Sequence, residues 1–143
     1  MLVSHILRQK GRDVVTVAPT IALSEVAHML AERKIGAVVV LGAKGEVAGI
    51  LSERDIVAAL ARDGAPALGR AANIYMTHAV ATCRESDTIE EIMETMTVGR
   101  FRHVPVVANG RLAGIVSIGD VVKTRIEESE REASALKQYI AAG

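Results

Sequence analysis

Residues 46–55 read Glu-Val-Ala-Gly-Ile-Leu-Ser-Glu-Arg-Asp, and residues 111–120 read Arg-Leu-Ala-Gly-Ile-Val-Ser-Ile-Gly-Asp. Each is an apolar run, a glycine, and then Ser-x-x-Asp at the opening of a helical pattern. A serine hydroxyl at that position can satisfy an orphan backbone N–H of the helix. The same helix start, with its positive dipole end, suits a phosphate group. The carboxylates, Asp55 and Asp120, are strong hydrogen-bond acceptors three residues after Ser52 and Ser117. The two aspartates lie 65 residues apart in register with their surroundings, which predicts two related binding sites.

The elements that position these turns are also repeated. Val14–Val17 reads as a strand and Thr20–Lys34 as a helix, with apolar residues near helical spacing at Ile21, Leu23, Val26, Ala27, Leu30 and Ala31. Ala37–Leu41 and Val47–Leu51 read as two more strands, and a helix follows from Glu53 to about Arg62. In the second copy Val80–Thr82 matches Val14–Thr16, Thr88–Val98 matches Ala22–Glu32, and Val104–Val107 matches Val38–Leu41. A one-residue deletion falls in the hairpin Ala108-Asn109-Gly110. The unit is β-α-β-β-α given twice, a mixed α/β (α+β) fold. One copy is too small to be stable alone, so the two must pack together. Val3–Lys10 reads as an amphipathic lead-in helix. The division expected is 1–66 for the lead-in and first repeat, and 67–143 for the linker, second repeat and a long C-terminal helix. That helix runs from Asp120 to about Ala142, with Val122, Ile126, Ala133, Leu136 and Ile140 on one stripe. Its last two turns lie beyond the repeat and pack either on the body or on a second subunit.

Composition narrows the function. Half of the 143 residues are hydrophobic but only 2% are aromatic, so Val, Ile, Leu, Ala and Met must fill the core. Scarce aromatics argue against stacking on single-stranded nucleic acid. Seventeen basic and seventeen acidic residues give no net attraction to nucleic acid or anionic membranes. A single cysteine, Cys83, forms no intramolecular disulfide, and no CxxC metal pattern is present. No apolar run approaches the ~18 residues of a membrane span, and Met1–Lys10 is too short and polar for a secretory signal. A soluble cytoplasmic protein is expected.

The segments Gly49–Asp55, Arg102–Val107 and Gly114–Asp120 resemble the signature stretches of CBS domains, which occur in tandem pairs called Bateman modules. The resemblance spans about residues 12–126, and the flanking helices are similar to those of small stand-alone bacterial CBS-pair proteins. It implies two repeats related by a pseudo-twofold axis, two clefts for adenosine-containing ligands, and a disc-like homodimer. The implied ligands are AMP, ADP or ATP, with NAD(H) second and S-adenosylmethionine third. Asp55 and Asp120 would accept from the paired ribose hydroxyls, one per cleft. The resemblance implies Thr16 with Ser117 and Asp120 in one cleft, and Thr82 with Ser52 and Asp55 in the other. It further implies Arg54, Arg102 and His103 at the phosphates, with Lys123 and Arg100 weaker candidates. Adenine would lie among Val17, Val38, Val80, Val104 and Pro105.

The copies differ where charge matters. Gly36-Ala37 stands in repeat 1 where repeat 2 has Arg102-His103, and Gly119 stands in repeat 2 where repeat 1 has Arg54. The clefts should therefore not be equivalent. The function expected is regulatory: sensing of an adenine nucleotide and signalling to an unidentified target protein, with no catalytic residue and no metal. Two other classes fit the sequence less well. A nucleotide- or NAD-dependent enzyme would need chemistry such as a Cys83–histidine pair, but no hydrolase elbow, Walker loop or GxGxxG occurs. A nucleic-acid-binding adaptor is disfavoured by the neutral charge.

Overall fold

The computed structural model describes residues 1–142. Helix α1 (Val3–Lys10) precedes strand β1 (Thr16–Val17), helix α2 (Leu23–Arg33), and the strands β2 (Ala37–Leu41) and β3 (Val47–Ser52). Helix α3 (Glu53–Asp63) and two short 3₁₀ turns at Ala65–Gly69 and Ala72–Ile74 lead into the second copy. There α4 (Ile89–Gly99), β4 (His103–Ala108), β5 (Arg111–Ser117) and α5 (Ile118–Ala142) follow.

The first sheet has the order β1-β2-β3, with β1 parallel to β2 and β3 antiparallel to it. Its counterpart is the antiparallel pair β4-β5. Both hairpins carry a register shift at the same place, between Val40 and Leu41 and between Val106 and Val107. The expected deletion sits where the second hairpin turns at Asn109-Gly110, both with positive φ, 53° and 75°. That tight turn replaces the longer Gly42–Glu46 loop of the first copy.

One expected element is reduced. Val80–Thr82 forms no strand, and the parallel pairing survives only as a bridge between Cys83 and Val106. The chain just before is committed elsewhere. Thr77 exchanges both backbone hydrogen bonds with Ile50, and the Val80 N–H closes a turn on the His78 carbonyl. Too few residues are left to run beside β4.

Two apolar cores form. The first gathers Val17, Leu23, Val26, Leu30, Val38, Val40, Leu51, Ile56 and Ala59, joined by Ala67, Ala72 and Met76 of the linker. The second gathers Cys83, Ile89, Ile92, Met96, Val104, Val106, Val116 and Val121, joined by Val3, Ile6 and Leu7 of α1. The lead-in helix therefore packs on the repeat far from it in sequence. The two motif glycines make these dockings possible. A Cβ on Gly114 would stand 2.7 Å from the Leu7 side chain, and one on Gly49 would stand 2.9 Å from the Thr77 carbonyl. Among the described residues, no helix is long and apolar enough to cross a membrane.

Candidate functional site

Ser52 ends β3 and caps α3, and Asp55 is the third residue of that helix. The Asp55 Oδ2 accepts from the Ser52 backbone N–H at 2.8 Å and from its hydroxyl at 3.1 Å. Its Oδ1 takes only a long bond from the Thr77 hydroxyl, 3.3 Å. One carboxylate oxygen thus keeps acceptor capacity beside a cleft of about 280 Å³.

That cleft is built by both repeats. Gly36, Ile50 and Ser52–Asp55 line one side, and Gly99–His103 the other, with Thr77 between them. Arg54, Arg100 and Arg102 line the cleft together with Glu53 and Asp55. Guanidinium forks suit phosphate oxygens. The His103 ring lies against Gly36, where an added Cβ would come within 2.9 Å of it. Burial, and then the Lys10 ammonium, push the His103 pKa below the usual 6.5, so near pH 7 its imidazole is neutral. The cation at this cleft is arginine.

Around Asp120 the same turn has a different neighbour. The Ser117 backbone N–H reaches Asp120 Oδ2 at 2.9 Å, and the Ser117 hydroxyl accepts from the Asp120 N–H at 3.2 Å. Lys10 of α1 then donates to the same Oδ2 at 2.7 Å and to the Ile115 carbonyl at 3.0 Å. Ile115 corresponds to Ile50, whose carbonyl is bonded instead by the backbone of Thr77. Burial raises the Asp120 pKa, but the hydrogen bonds from Lys10 and Ser117 outweigh it and hold the carboxyl below the ordinary 3.8. The space here, lined by Ile6, Gln9, Lys10, Asp120, Lys123 and Thr124, is only about 60 Å³.

The expected site residues are therefore distributed unevenly. Ser52, Arg54, Asp55, Arg102 and His103 converge on one cleft, while Asp120 and Lys123 share the small one. Thr82 is not beside Asp55; it lines an open groove with Cys83–Asp87 and Val107–Gly110, and Thr77 holds the place beside Asp55. Thr16 and Ser117 line none of these spaces, Thr16 being an exposed residue paired with Val39. Val17, Val38 and Val104 are buried in the two cores and Pro105 is buried in β4, so they back the sheets instead of facing the cleft. Val80 is half-buried in the turn after Thr77. The apolar wall is instead Ile50 and Phe101. Phe101, the chain's one phenylalanine, could have been noticed from its place directly before Arg102-His103.

Cys83 is 4% exposed, and burial, then Asp87, push its thiol pKa up to about 12. A thiol held protonated at neutral pH is a poor nucleophile. Among the described residues no group of three His, Cys, Asp or Glu side chains is placed to hold a metal ion.

Comparison with known proteins agrees with the repeat. The sequence profile of the CBS domain matches residues 3–62 and again 71–127. The CBS-domain-containing protein ATU1752 of Agrobacterium tumefaciens is 54% identical, with a TM-score of 0.84 over 87% of this chain and 92% of that one. The CBS domain pair of protein MJ0100, solved in complex with 5-methylthioadenosine and S-adenosyl-L-methionine, is 26% identical over 90% of this chain and 98% of that one, with a TM-score of 0.78. An uncharacterized 17.7 kDa protein of Acidianus ambivalens is 34% identical over 116 residues, 80% of this chain and 68% of that protein.

Proposed function

The chain belongs to the CBS-domain family, and from that premise we propose that it is a regulatory module binding one adenine mononucleotide in the cleft at Asp55. The observation that carries this reading is the meeting of a carboxylate oxygen with spare acceptor capacity and three arginines across one cleft shared by both repeats. Ribose offers two adjacent hydroxyls to Asp55, and the phosphates go to Arg54, Arg100 and Arg102. The adenine lies against Ile50 and Phe101. The relative MJ0100, bound to two adenosine compounds, supports the ligand class. AMP, ADP and ATP rank first because S-adenosylmethionine carries no phosphate for the guanidiniums. NAD(H) ranks below them. A cleft of about 280 Å³ falls just below the ~300–1,000 Å³ usual for small-molecule sites, which leaves a dinucleotide's second half outside.

The second cleft stays closed in this reading, because its space is only about 60 Å³ and the Lys10 ammonium holds Asp120 Oδ2 at its edge. Lys123 lies in that closed space. Occupancy at Asp55 is passed on as a population shift between arrangements of the two repeats, limited by the ligand's differential affinity for them. In this reading the module acts as a homodimer on a separate target protein. The thiol of Cys83, held protonated, offers no nucleophile for covalent catalysis.

Titration calorimetry with AMP, ATP, NAD, adenosine and S-adenosylmethionine tests the proposal. AMP should bind once per chain, and Asp55→Asn should weaken it at least tenfold. Arg102→Ala should weaken AMP more than adenosine. No heat with any of the five ligands would remove the reading, and two equal AMP sites per chain would remove the closed cleft.

A further inference from the structure

We infer that the outer half of α5 pairs with α5 of a second copy of this chain, as a parallel, in-register, two-stranded coiled coil. The helix outruns the body that holds its start. Val121 and Thr124 are buried, and Glu128 is the last anchor, bonded to the amino group of Met1 at 2.7 Å. From Ser129 to Ala142 every residue is exposed. These are about 14 residues, or roughly 21 Å at ~1.5 Å per residue. A free helix of that length is marginal in water, so it needs a covering partner.

Its sequence specifies one. Val122, Ile126, Ser129, Ala133, Leu136 and Ile140 are spaced four, three, four, three and four apart, a sustained heptad seam. The four large members are 50%, 53%, 59% and 67% exposed in chain order. Ile126, Ala133 and Ile140 fall at the a positions and Val122, Ser129 and Leu136 at d. The outermost pair of layers, Leu136 at d and Ile140 at a, is the leucine-at-d, isoleucine-at-a arrangement that favours two parallel strands.

The flanking charges select the partner and the direction. Arg125 and Glu132 occupy g positions, and Glu130 and Lys137 occupy e positions. In a parallel pair, g faces the following e of the other helix. Glu132 then meets Lys137 of the partner subunit, and Arg125, which also bonds Glu128 of its own helix at 3.0 Å, faces Glu130 of the partner subunit, each twice by symmetry. Running the second helix the other way about the same seam sets Glu130 against the partner's Glu130 and Glu132 against the partner's Glu132. It also sets Lys123 against the partner's Lys137. Like charges facing each other are destabilising, so the self-complementary arrangement is the parallel one.

Sedimentation velocity on the full chain and on the Leu136→Glu/Ile140→Glu double variant tests the pairing. Both side chains are exposed, so the body folds in either protein, which circular dichroism checks. The full chain should sediment as a dimer, and the variant's dissociation constant should rise at least tenfold. A monomeric full chain would leave the stripe to some other protein and overturn the inference, as would a variant that dimerises unchanged. Direction is read by oxidising an Ile140→Cys variant. The parallel pair yields a disulfide-linked dimer on a non-reducing gel. Opposed helices would hold the two thiols about 27 Å apart, and an oxidised dimer without the link rejects the parallel register.

Discussion

Lys10 makes the two copies of the repeated motif chemically different. Both Ser-x-x-Asp turns form with nearly the same local hydrogen bonds, yet only the Asp120 carboxylate has an ammonium on it. Lys10→Met should open the second cleft, so that calorimetry counts two adenine-nucleotide sites per chain where the parent has one. It should also change the acid response. A carboxyl whose folded pKa lies below its unfolded value contributes stability above the unfolded pKa and loses it as pH falls through the folded one. The parent's melting temperature should therefore drop more steeply below about pH 4 than that of Lys10→Met. At neutral pH the variant loses under about 1 kcal/mol, since the pair is partly exposed. Equal slopes in the two proteins would mean that Lys10 does not lower the Asp120 pKa.

At the scale of elements, local chemistry explains most boundaries. Ser52 and Asp55 form a reciprocal capping box at the start of α3, and the Thr88 hydroxyl accepts from the Glu91 N–H at 3.1 Å at the start of α4. Ala22, at the matching place before α2, has no side-chain cap. Thr88→Ala should cost about 1 kcal/mol, read as a lower urea midpoint at unchanged m-value. Such signals were legible in the sequence, and so were the strands β2, β3, β4 and β5, whose apolar runs are bounded by turn residues. The strand expected at Val80–Thr82 was not, because its residues carry the right pattern while the backbone ties of Thr77 remove the room to use it. Phe101 escaped for a related reason: a lone aromatic in a loop has no period to reveal which way it points.

On the scale of the molecule, the two halves are interlocked. Helix α1 fills the second core with Val3, Ile6 and Leu7, each 3% exposed or less, while the linker fills the first. Burying one such side chain contributes about 1.5–3 kcal/mol. A chain lacking residues 1–10 should therefore lose several kcal/mol, most of the ~5–15 kcal/mol a domain possesses. Scanning calorimetry should show the truncated chain melting at a lower temperature than the parent. A single unshifted transition would show that α1 is not part of that core.

By itself the sequence determined the repeated unit, its family, the helices and most strands, and the polar residues worth watching, because hydrophobic period, turn chemistry and a recurring motif are local properties. It placed Ser52, Asp55, Arg54, Arg102 and His103 among the site candidates, and the tertiary structure decided that they share one cleft. Tertiary structure alone also decided that Thr77 stands beside Asp55 and that the candidate valines are core. Lys10 could be seen to lie on an amphipathic helix but not to reach Asp120, 110 residues away. Which surface a short amphipathic helix covers depends on the shape of the core it meets. Here a glycine at 114 opened the place for Leu7, and the lysine on the same helix came to rest on the second carboxylate.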